Sequence, residues 1–151
     1  MNQLNLLSKL EAHHDLLKSY EKELIELESK LKLKDLEKRI KVMEVKLERS
    51  KLKRDEARKN LKSYNSVLTE YNFKVEEIEK NLYDGKTTDI KQLEYLNKEK
   101  DRLKELVSHK ETETLSLMDE IEDIEKEIME IESFLKEYKI KLVKRRKKFK
   151  L

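Results

Sequence analysis

A mostly apolar series of positions recurs in alternating steps of four and three from Leu36 to Leu82, through Ile40, Met43, Leu47, Ser50, Arg54, Ala57, Leu61, Tyr64, Leu68, Tyr71, Val75 and Ile78. The series stops at Asp84-Gly85. It resumes at Leu93 and runs through Leu96, Lys100, Leu103, Val107, Lys110, Thr114, Leu117, Ile121, Ile124, Ile128, Ile131, Leu135, Tyr138, Leu142 and Arg145 to Phe149. Steps that never slip keep one helix face toward a partner in a left-handed supercoil. Two such runs around one break predict an all-α chain: a long antiparallel coiled-coil helical hairpin over residues 35–151, turning at 84–89.

The turn has the chemistry of a helix stop and start. Gly85 enters the left-handed conformation without a Cβ penalty and ends the first helix. Asp89 fits an N-cap, and Gln92 stands where a capping box places its reciprocal partner. With only Lys86-Thr87-Thr88 between, the helices become antiparallel neighbours.

Residues 1–34 repeat the spacing at Leu10, Leu17, Leu24 and Leu31, with Tyr20 and Leu27 between, but out of phase. Leu36 arrives two residues before the position that this earlier register expects. Asp35 offers a cap for a fresh helix, so a kinked or separate N-terminal amphipathic helix is expected, with its break near 31–35. The overhang beyond the returning helix leaves the apolar face of residues 1–20 uncovered. Its mate is a missing domain, a second copy or a partner protein.

Polar residues interrupt the seam at Ser50, Arg54, Lys110 and Thr114. Such positions cost stability and fix register; a local hinge is the other reading. A hairpin centred near residue 86 sets residue i opposite about 172 − i. Residues 119–137 hold nine acids against two bases, and the facing stretch 35–53 holds seven bases against four acids. Opposite charge blocks are then expected to meet across the helices.

Composition narrows the classes of function. The chain is 46% charged, with no Pro, no Cys, no Trp and one Gly in 151 residues. An ordinary globular domain needs more turn residues and about half that charge. Without Cys there is no disulfide and no thiolate metal site. His13 and His14 are neighbours that point apart on a helix, and His109 is solitary, so no metal site is expected. No apolar stretch has the length of a membrane span, and the N-terminus lacks the pattern of a signal peptide. A cytoplasmic protein is expected. Carboxylates on a two-helix rod stay solvated, with no partner to tune them for acid-base work. No nucleophile triad or phosphate-binding Gly loop is present. The chain is expected not to be an enzyme and to need no cofactor.

The segment Leu82-Tyr83-Asp84-Gly85-Lys86-Thr87-Thr88-Asp89-Ile90-Lys91-Gln92-Leu93-Glu94-Tyr95-Leu96, with Leu115-Ser116-Leu117-Met118-Asp119-Glu120-Ile121-Glu122 beyond it, resembles the coiled-coil hairpin region of bacterial four-cysteine zinc-ribbon proteins. That family has a tip of the form LYSGKxxNPKELEALQ and an LMEEIE-like stretch on the returning helix. Ile90 replaces the family's usual Pro, and the zinc ribbon itself is missing from this chain. Zinc enters only if a ribbon follows Leu151. The resemblance implies a non-enzymatic bacterial scaffold or adaptor. Some relatives associate with the nitrogen-type sigma factor of RNA polymerase, so sigma factor or polymerase is the partner it implies.

Two regions stand out for binding. The tip, with Leu82, Tyr83, Gly85, Lys86 and Thr87, lies where a protein partner can reach it. The alternative is that Tyr83 packs on the turn and Gly85 serves geometry alone. The basic tail, with Lys144, Arg145, Arg146, Lys147, Lys148 and Lys150, can contact the phosphates of nucleic acid with a steep salt dependence. Its other reading is helix-dipole pairing and attraction to the acidic N-terminal segment. Residues 138–151 hold eight bases and no acid, and setting these aside turns the net charge of +3 into −5 for residues 1–137. Three functions remain open: a protein-binding scaffold, a nucleic-acid-binding rod, and a structural dimeric coiled coil. The chain is a monomeric hairpin or a homodimer.

Overall fold

The computed structural model describes residues 2–85 and 89–149. Helix α1 spans Asn2–Tyr83 and α2 spans Ile90–Phe149, with no strand among the described residues. The fold is an all-α helical hairpin in which two long helices pack together. Two compact units divide it: Leu47–Glu130, and Met1–Lys46 with Ile131–Leu151.

No separate N-terminal helix forms. α1 passes through residues 31–35 without interruption, so Asp35 caps nothing. The stretch Leu31-Lys32-Leu33-Lys34 consists of good helix formers, and no Gly or Pro is there to stop it. A slip in apolar phase changes which side of a helix is apolar, not whether the helix continues. Five residues turn a helix by about 500°, so Leu36 points about 140° away from Leu31. Leu36 is 6% exposed and Leu31 62%.

From Leu36 to Leu82 and from Leu93 to Leu142, every expected seam position is buried or half-buried. Arg145, the next in the series, is exposed. In the unit Leu47–Glu130 the helices form an antiparallel hairpin in which Ala57, Leu117 and Ile121 cluster, with Leu61 and Tyr64 packed against them. Two of its polar seam positions, Thr114 and Lys110, find partners in place. Thr114 Oγ1 donates to the Lys110 carbonyl at 2.7 Å. The Lys110 ammonium lies 3.8 Å from the centre of the Tyr64 ring and 3.1 Å from Glu113. Among the described residues no buried side-chain nitrogen or oxygen lacks a partner.

The longest cross-helix pairs fall further along α2 than a centre at residue 86 expects. Residue 114 should stand about opposite Arg58, yet Arg58 donates to Glu125 at 2.6 Å. Ala57 clusters with Leu117 and Ile121, a smaller shift in the same direction. Side chains on each helix lean toward that helix's own N-terminus. Across antiparallel helices, long side chains therefore meet when the α2 member lies further from the turn. The other unit obeys the same rule: Lys139 reaches Glu44 at 3.4 Å, and Arg146 donates to Glu37 at 2.9 Å. These pairs use acids of the basic stretch 35–53 and bases of the α2 end, the reverse of the expected block pairing.

The accessible surface is 13013 Å². No large side chain among the described residues is fully buried. The core is thus a seam one side chain wide.

Leu103, 3% exposed, is the most buried residue of that seam. Leu103→Ala should cost about 2–3 kcal/mol in urea unfolding followed by circular dichroism. Leu52→Ala, at a position 67% exposed, should change stability by less than about 0.5 kcal/mol in the same measurement.

Candidate functional site

At the tip, α1 closes with the Asp84 amide donating to the Lys80 carbonyl at 2.9 Å. Gly85 follows with φ +65°, in the left-handed region, and nothing lies within 4 Å of the place a Cβ would take. Its role is conformational rather than steric. α2 starts as the sequence suggests: Asp89 Oδ1 accepts the Lys91 amide at 3.1 Å, and the Asp89 carbonyl accepts the Leu93 amide at 3.0 Å. Among the described residues no bond returns from Gln92 to the cap, so only half of a capping box forms.

Of the expected tip residues, Leu82 is half-buried in the seam and Tyr83 is 81% exposed. Its ring lines an open groove with Glu76, Glu79, Lys80 and Asp84. The Lys100 ammonium stands 6.0 Å from the ring centre, at the outer limit of a cation-π contact. Lys100 and Lys104 both approach Glu79, at 3.6 and 3.7 Å. Nearby, two hydrogen bonds from Arg102 hold the exposed Glu99 carboxyl below its ordinary value. Lys86 and Thr87 lie outside the described residues.

The basic tail is the second expected site. Lys144, Arg145, Lys147 and Lys148 are exposed on the last turns of α2, while Arg146 is engaged with Glu37. Lys150 lies outside the described residues. The fold adds residues that reading along the chain missed. Lys30 and Lys32 of α1 share a groove with Arg145, Lys148 and a single acid, Glu26, and Arg39 and Lys141 line the next groove with Lys32, Arg145 and one acid, Asp35, so both grooves are net positive. The signal for this joint basic surface was the antiparallel pairing of 30–39 with 141–148, not any local motif.

A third open groove holds Tyr64, Glu105, Ser108, His109, Thr112, Glu113, Ser116 and Glu120. His109 Nδ1 stands 3.1 Å from Glu113, on the solvent side of the helix. Among the described residues no three His, Cys, Asp or Glu side chains are grouped to hold a metal ion, and no helix is long and apolar enough to cross a membrane. A site of four thiolates needs cysteines, and this chain has none, so its residues do not fit the zinc of a four-cysteine ribbon. No family model, curated protein or solved structure gives a significant match to this chain.

The two residues that make the turn are testable apart from binding. Gly85→Ala places a Cβ in the left-handed region and should cost about 1–2 kcal/mol. Asp89→Ala should cost about 1 kcal/mol by removing the cap. Both are read as shifts in the urea midpoint, and Asp89→Asn should recover most of the second loss.

Proposed function

We propose that this chain is a non-enzymatic scaffold or adaptor that binds protein through its tip. The observation that carries this reading is Tyr83, a large aromatic side chain 81% exposed beside the one turn of the hairpin. Aromatic residues are the commonest anchors of protein interfaces, because a rigid ring buries much area at little entropic cost. Glu79, Lys80 and Asp84 around it supply a polar rim.

The resemblance at Leu82–Leu96 to bacterial zinc-ribbon hairpins nominates the transcription machinery in the cytoplasm, and the nitrogen-type sigma factor in particular, as the partner. Grooves that are open to water favour binding over catalysis.

The full chain should bind the nitrogen-type sigma factor directly in calorimetry, and Tyr83→Ala should weaken that binding at least tenfold, the effect of losing one anchor. Tyr83 is exposed, so the melting curve of the variant should match the parent's. Unchanged affinity in Tyr83→Ala removes the tip from the interface.

A second reading is favoured by the joint basic surface of Lys30, Lys32, Arg145 and Lys148. Several cations on adjoining helices can follow a phosphate backbone. On this reading, affinity for RNA or DNA falls steeply with salt, with a slope near one per phosphate contacted. Deleting residues 144–150 should abolish that binding. Binding that is absent, or indifferent to salt, ends the nucleic-acid reading.

A further inference from the structure

Residues 2–28 of α1 are exposed on every side. Within them, and on to Leu31, apolar positions alternate in steps of four and three: Leu6, Leu10, His13, Leu17, Tyr20, Leu24, Leu27, Leu31. Apart from His13, these side chains are 55–65% exposed. Because α1 is continuous, they form one stripe that winds slowly around a single helix. It cannot be an extension of the intramolecular seam, which begins at Leu36 about 140° around the helix. α2 packs on that other side. A stripe with coiled-coil spacing over about four heptads fits a helix as its mate.

We infer that this stripe takes the same stripe of a second copy of the chain, in antiparallel orientation. Four-three spacing is complementary to itself. Antiparallel pairing sets Leu6 of one copy across Leu31 of the other, Leu10 across Leu27, and Leu17 across Tyr20. His13, the one polar member, then meets Leu24. Covering the exposed part of these side chains buries roughly 750 Å² per copy, the size of a standard stable interface.

Charge selects the orientation. Lys30, Lys32, Arg145 and Lys148 share a groove with one acid, Glu26, so this end of the stripe is net positive. Parallel pairing would bring the two basic ends together and set His13 against His13. Antiparallel pairing separates the Lys30 residues of the two copies by about 35 Å along the helix, several times the ~10 Å screening length of ordinary salt. This inference deepens the scaffold reading and rests on it only for the use of a second face.

The test is sedimentation equilibrium of the full chain. A dimer is expected at micromolar concentration. Leu17→Lys with Leu24→Lys should raise the dissociation constant at least about 100-fold, with the melting of the Leu36–Leu142 seam unchanged. His13→Leu fills the one polar layer and should tighten the dimer, which decides the matter should the lysine variant unfold. The absence of native cysteine makes orientation readable. Mixed Leu10→Cys and Leu27→Cys chains should form a disulfide between copies, and Leu10→Cys alone should not.

A monomer at tens of micromolar, a dimer indifferent to these substitutions, or a Leu10→Cys self-linked pair overturns the inference. The two readings fail separately. A monomer whose sigma-factor binding still depends on Tyr83 ends the dimer alone; a dimer whose Tyr83→Ala variant keeps full affinity ends the tip alone.

Discussion

Within each unit, two helices meet along a single line of side chains, and every other feature depends on keeping that line unbroken. A two-helix fold has no second layer to cover an error. Even the most buried seam residues, Leu103 and Ile128, keep a few per cent of their surface exposed. The steps of four and three therefore tolerate exceptions only where chemistry replaces packing. Lys110 is such a case: its stem occupies the seam while its ammonium reaches the Tyr64 ring and Glu113. Thr114 is another, turning its hydroxyl onto the carbonyl of its own helix.

A fold with this geometry presents its outer faces and its ends to solvent. The same residues that serve structure there are few. Gly85 and Asp89 shape the two helix ends at the turn, whereas Tyr83 stands 81% exposed beside it. The basic end is mixed in the same way. Arg146 is engaged with Glu37, while Arg145 and Lys148 join Lys30 and Lys32 on an open surface.

Reading the residues in order was enough for the seam, because periodicity of a side chain along one helix is a local property. From Leu36 to Leu82 and from Leu93 to Leu142 each expected position is covered, and the Asp89 cap accepts the amide expected of it. What needed the fold was everything that depends on two helices at once. The pairing of Arg58 with Glu125 follows from the lean of side chains, which a count from the centre of the turn ignores. The joint basic surface combines residues more than a hundred positions apart. The slip before Leu36 was visible, but its meaning was not: it rotates the apolar face by well over a quarter-turn instead of ending the helix.

The large accessible area has a thermal consequence. Unfolding raises heat capacity in proportion to the apolar surface newly wetted, and a chain already exposing 13013 Å² has less left to wet. Its stability curve should consequently be broad and shallow, changing gently between cold and warm. Cold denaturation would recede to lower temperature, and heating would loosen the helices over a wide range.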